Sequence, residues 1–140
     1  MSESSPVFTV EEANKRLPLV SVIVKDLSEL SRMVAERRNR IEQLTSPAAR
    51  KAENDPYVEE RQQILEELES NVKYLERYET ELDQLGVWCR DHVDGVVVFP
   101  SEIDGVKIHL SWQLGEPEVL YWHGVDEGFN DRRPLPVSVE

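Results

Sequence analysis

A chain of 140 residues with a formal net charge of −12 is long enough for one domain that buries roughly 68 to 70% of its unfolded surface, so neither a disulfide nor a metal is needed for folding. That charge works against nucleic acid, whose binding draws on clustered Lys and Arg, and the single cysteine, Cys89, excludes an internal disulfide framework. No apolar run approaches the roughly 18 to 20 residues that span a bilayer, and residues 1–9 lack the basic and apolar stretches of a secretory leader, so a cytoplasmic protein with neither nucleic-acid nor membrane partners is expected.

Thr9 and Glu12 form a Thr-x-x-Glu capping box, which predicts a helix starting near Val10 and extending over residues 10–44. Pro18 lacks an amide hydrogen, and a break or kink is expected around Leu17. Beyond it, Val20, Val24, Leu27, Leu30, Val34, Ile41 and Leu44 recur close to a three-four spacing on one face. Ser46, Pro47, Asn54, Asp55 and Pro56 are turn and cap residues, and they mark the tip of a hairpin. A second helix is predicted over residues 57–85, with Val58, Leu65, Leu68, Val72, Leu75, Leu82 and Leu85 as its apolar pattern and Gly86 as the residue that ends it. This helix is rich in Glu, whereas the end of the first is rich in Arg. An antiparallel hairpin would set Arg37, Arg38 and Arg40 beside Glu59, Glu60 and Glu66.

After Gly86 the apolar period falls to two, which predicts strands at residues 87–91, 95–99, 106–113 and 118–123. Asp94-Gly95, Asp104-Gly105 and the run 114–117 separate them, giving a three- to four-stranded antiparallel meander. Residues 124–140 read as an irregular tail that wraps over the sheet or trails away. In the third strand Val106, Ile108, Leu110 and Trp112 share the core face, with Lys107, His109, Ser111 and Gln113 opposite. The last strand allows two registers. A two-residue loop puts Trp112 opposite Val119 and turns His123 toward the core, whereas one more loop residue turns Leu120 and Trp122 inward and sets His109 and His123 on the outer face with Tyr121.

The chemistry-bearing residues crowd into this hairpin and its exit: Trp112, Glu116, Trp122, His123, Arg132 and Arg133. Their spacing matches no catalytic signature, and no cofactor is expected. A metal would have to be held by His109, Glu116 and His123, a set whose convergence the spacing does not enforce. Glu116 has a structural alternative, a charge-assisted clamp to Arg132 or Arg133 that fastens the tail over Trp122. Cys89, flanked by Val87 and Trp88, reads as an inert thiol.

Phe8-Thr9-Val10-Glu11-Glu12-Ala13-Asn14, then Leu17-Pro18, Trp112-Gln113-Leu114-Gly115-Glu116, Trp122-His123, Gly128-Phe129 and Arg132-Arg133-Pro134-Leu135 resemble the bacterial family known as domain of unknown function 2203. The likeness covers nearly the whole chain and implies a small bacterial cytosolic protein, with no activity attached. The family pattern has Val-Asp-Phe-Pro where this chain has Val97-Val98-Phe99-Pro100, and Cys-Trp where it has Ser111-Trp112. A site built from that carboxylate and that thiol is in doubt here.

The expected fold is therefore α+β, a long antiparallel helical hairpin followed by a small meander packed on its base. Strands of about seven residues reach only ~23 Å and cannot cover a helix of ~40 Å, which leaves the far hairpin bare. A non-enzymatic interaction or scaffold protein is the leading expectation, with a homodimer or a partner helix on the hairpin. A metal- or small-molecule-binding domain around Glu116, His123 and Arg132/Arg133, with enzymatic activity as an option, is the alternative.

Overall fold

The computed structural model describes residues 7–45 and 55–136, so residues 46–54 of the expected hairpin tip, residues 1–6 and the end of the tail at 137–140 lie outside the described residues. Helix α1 spans Val10–Leu44 and opens with the capping box: the Glu12 amide donates to Thr9 Oγ1 at 3.0 Å, and the Thr9 amide to Glu12 Oε1 at 2.9 Å. The helix runs unbroken through Pro18, contrary to the expected break. Packing on both sides of the proline accounts for this. Ala13 and Leu17 before it and Val20 after it are all buried, and Asn14 Oδ1 is pinned by the amide of Val119 at 2.7 Å.

Helix α2 spans Val58–Gln84 and ends at Gly86, whose φ of 85° is the left-handed value that favours glycine. The amide of Val87 returns to the Leu82 carbonyl at 3.1 Å and that of Gly86 to the Asp83 carbonyl at 3.0 Å, so the last carbonyls are satisfied while Val87 and Leu82 bury together. The helices are antiparallel. Arg16 near the start of α1 donates to the Leu85 carbonyl, and Arg40 near its end holds Glu60. Arg37 reaches Glu67 and Asn71, one position along from the expected Glu66.

Five strands follow: β1 Trp88–Asp91, β2 Val96–Ile103, β3 Val106–Gln113, β4 Tyr121–Gly124 and β5 Arg133–Pro134, antiparallel and ordered in the sheet as in the chain. The sheet exceeds the expected three to four strands because the tail returns to pair Arg133 with Trp122 and Pro134 with Tyr121. Strand β2 also runs on through Pro100 to Ile103. Proline is tolerated there because β1 pairs only with Val96, Val97 and Val98, leaving Pro100 with β3 alone as its strand partner. The turn Asp104-Gly105 has both residues at positive φ, 52° and 81°, as a two-residue hairpin requires.

One face of the sheet, with Val97, Phe99, Leu110 and Trp112, forms the core with Val20, Val24 and Leu27 of α1 and Leu82 of α2. Phe8 closes one end of it, packing edge-on against Phe99 at 5.6 Å and donating its amide to the Pro100 carbonyl. The other face is buried too: Val96, Val98, Ser111 and His123 are all inaccessible. The returning tail covers it. Arg90 donates to the Glu127 carbonyl, and Phe129, in a single 3-10 turn Phe129–Asp131, stacks on Arg132.

The coverage of the hairpin is uneven. Along α1, contacts to the sheet side end with Ser28 and Arg32, both donating to the Val93 carbonyl. In α2 only Leu82 is fully buried, and Ile64, Leu68, Leu75 and Tyr78 stay partly exposed although they face α1. Among the described residues no helix is long and apolar enough to cross a membrane.

Candidate functional site

The β3–β4 register pairs His109 with His123, Leu110 with Trp122 and Ser111 with Tyr121. This is the longer-loop register, and the connection takes up residues 114–120, so β4 begins at Tyr121 and not at residue 118; Trp122 turns inward as expected, whereas Leu120, outside the strand, is exposed and Val119 enters the core in its place. Both histidines are thereby on the face away from the helices. Their rings meet edge-on, with centroids 5.6 Å apart and planes at 82°, and Trp88 packs edge-on against the other side of His109 at 5.2 Å. His123 is 1% exposed. Its Nδ1 lies 2.8 Å from the Gly124 carbonyl oxygen, which can only accept, so Nδ1 carries the hydrogen and Nε2 presents a lone pair in the neutral ring. Nε2 of His123, Nδ1 of His109 and the Ser111 hydroxyl are buried without a hydrogen-bond partner. Burial first, then His123 and Arg90 nearby, lowers the His109 pKa from its ordinary value and favours the uncharged ring.

Glu116 lies at the other end of the same hairpin and does not join the histidines. Its carboxylate accepts from both Arg132 nitrogens, at 3.3 and 2.5 Å, and from the Gln113 amide at 2.9 Å. Its carbonyl takes the indole hydrogen of buried Trp112. Arg132 is the arginine that turns inward, with its guanidinium 4.2 Å from the ring centres of both Tyr121 and Phe129. Arg133 takes the opposite side of the chain, lies 4.7 Å over half-buried Trp122 and is held by both oxygens of Glu127 at 2.9 and 2.7 Å. The Arg133 guanidinium, together with the Gly124 amide, holds the Glu127 carboxyl below its usual pKa.

Glu127 was not foreseen from the sequence. The available signal was two adjacent arginines on an extended segment: neighbours there point to opposite sides, so each needs its own acid. Asn14, which fixes the β3–β4 connection through Val119, carried no sequence signal beyond a polar residue beside Ala13 and Leu17.

Around these groups, Asn14, Leu17, Pro18, Trp112, Glu116 and Pro117 line an open cleft of about 370 Å³ between α1 and the β3–β4 connection. Cys89 is half-buried, and burial pushes its thiol up to about 12, the opposite of an activated nucleophile. His92 is apart from the other histidines, on Glu79 of α2 at 2.8 Å. Among the described residues, no three or more His, Cys, Asp or Glu side chains come together to hold a metal ion.

The structure thus presents an α+β protein whose sheet carries a histidine pair, one ring buried and one half-buried, and two arginine-carboxylate clamps. The model of the family described as Uncharacterized conserved protein (DUF2203) matches residues 6–135, and the chain belongs to that family. Searches of the curated proteins and of the solved structures found no match. Val98 and Ser111 are cross-strand partners on the face that carries His109 and His123.

Proposed function

We propose that this protein is a non-enzymatic interaction module that self-associates through the face of its helical hairpin turned away from the sheet. The carrying observation is the apolar character of that face. Positions two apart lie on opposite sides of a helix, so Val22 and Asp26 point away from the sheet-facing Val24 and Ser28. Leu19 and Val22 are 53% and 59% exposed, and with Ile23 of α1 and Tyr78 and Leu85 of α2 they line a groove of about 540 Å³. Exposed Met33 and Tyr74 add apolar surface farther along the two helices.

A second copy is the occupant that fits. Two helices side by side are about 20 Å wide and α2 is ~40 Å long, which gives about 800 Å² per partner, the size of a stable interface. Pairing two grooves would complete a four-helix arrangement and cover the α2 residues that one partner helix leaves half-open. Because each copy carries −12, association strengthens as salt screens the repulsion.

Sedimentation equilibrium from micromolar to tens of micromolar tests this. Twice the chain mass is expected for the native sequence and the single-chain mass for Val22→Glu, whose far-ultraviolet circular dichroism stays native because Val22 is on the surface of the single chain. A native protein that stays at the single-chain mass at tens of micromolar and high salt overturns the reading. The alternative of a ligand-binding domain is favoured by one observation, the unpartnered nitrogens of His109 and His123.

A further inference from the structure

We propose that His109 and His123 form a two-nitrogen site for a monovalent, closed-shell metal ion, of which cuprous copper is the cellular example. Polar groups in a protein interior are nearly always paired, and leaving one without a partner is costly. Here two imidazole nitrogens on cross-strand partners, together with the neighbouring Ser111 hydroxyl, are orphaned on one buried face. The Nδ1–H to Gly124 carbonyl bond fixes the His123 tautomer with its lone pair on the buried nitrogen, the outer hydrogen bond that metal-bound histidines commonly make. An ion about 2.0 to 2.1 Å from an imidazole nitrogen is roughly 3 Å from the ring centre, so two rings in line on one ion need centroids about 6 Å apart, and the 5.6 Å edge-on contact seen here opens to admit it. The half-buried His109 ring turns from its edge-on contact to point its nitrogen at the ion.

Charge and ligand number choose the ion. Zinc seeks four ligands, and the described residues supply no carboxylate or thiolate to complete the set. A divalent charge among buried Val98 and the Trp88 ring would be costly to desolvate. A monovalent ion with filled d orbitals accepts two ligands in line and carries half that charge.

The test follows the imidazole nitrogen resonances of all three histidines as silver(I), a redox-inert ion of this class, is added to native protein and to Cys89→Ser, in which no thiol competes. The expected result in the variant is that His109 and His123 shift together and saturate at one equivalent while His92 does not move. His109→Phe keeps a flat ring against Trp88 without a nitrogen and is expected to weaken uptake at least tenfold. Three outcomes overturn the proposal: no shift at either histidine, as a trapped water would give; shifts in all three that grow with excess silver, an adventitious ion only; or zinc(II) displacing an equal amount of silver(I) from the pair.

Discussion

Glu116 grips Arg132 with both carboxylate oxygens while that guanidinium is sandwiched between Tyr121 and Phe129. The pair joins the β3–β4 connection to the returning tail, and the Arg132 and Glu116 side chains are only 11% and 22% exposed. Arg132→Ala is expected to cost about 2 to 4 kcal/mol and Glu116→Ala about 1 to 3 kcal/mol, because each leaves a charged partner with little water. In urea titrations of the singles and the double, a coupling of about 1 kcal/mol or more is expected; strictly additive losses would mean that the clamp contributes nothing of its own.

Stability should fall with acid in two stages. His109 has a folded pKa below its ordinary 6.5, so the unfolded chain binds more protons in that window. Its contribution is complete above about pH 6.5 and is lost as pH falls from there through the folded value. Glu127 and Asp55, both lowered by arginine partners, act the same way farther down, losing their contribution below about pH 4.3. Urea midpoints measured from pH 8 to pH 3.5 should show both stages. His109→Phe should remove the upper stage alone, and Glu127→Gln should shrink the lower.

Two glycines with similar backbones should respond differently to alanine. Gly95 and Gly105 have φ of 70° and 81°, a strain of about 1 to 2 kcal/mol for any L side chain. A Cβ on Gly105 meets nothing within 4 Å, whereas one on Gly95 would lie 2.8 Å from the Leu114 Cβ. Thermal denaturation should therefore rank Gly95→Ala below Gly105→Ala, and equal losses would refute the steric part of this account.

Local chemistry made much of this fold readable. The Thr9–Glu12 box, Gly86 and Asp104-Gly105 each encode their own geometry, and all three behave as their residue types dictate. What escaped depended on distant partners. Pro18 reads as a break only if its flanking turns are free, and here they are packed. The β4 register was ambiguous because the tail buries the second face of the sheet, so Val119, Tyr121 and Trp122 are apolar without strict alternation. Strand β5 is two residues long, one of them proline, and has no pattern to detect. At the site, the clamp to Glu116 was foreseeable from charge and chain proximity, whereas the pairing of His109 with His123 hinged on a single loop residue.

Adding two donors beside the histidines should give this face a preference for zinc. Val98 and Ser111 are fully buried cross-strand partners next to His109 and His123. The double substitution Val98→Asp with Ser111→Cys adds a carboxylate and a thiolate to two imidazoles, the donor number and types that suit zinc. Equilibrium dialysis should find one zinc per chain, released by His123→Ala; no retained zinc would show that the four positions do not converge.

The end of sheet contact near Arg32 gives the hairpin a property the core does not share. Among the described residues beyond that point, the two helices touch chiefly each other, through α2 positions seven apart such as Arg61 and Leu68. Matched removal of seven residues from each helix beyond the sheet would preserve the facing positions and shorten the projection by about 10 Å. The hairpin is in this sense a spacer of adjustable length, and its reach can drift in whole heptads while the histidine face and its clamps stay as they are.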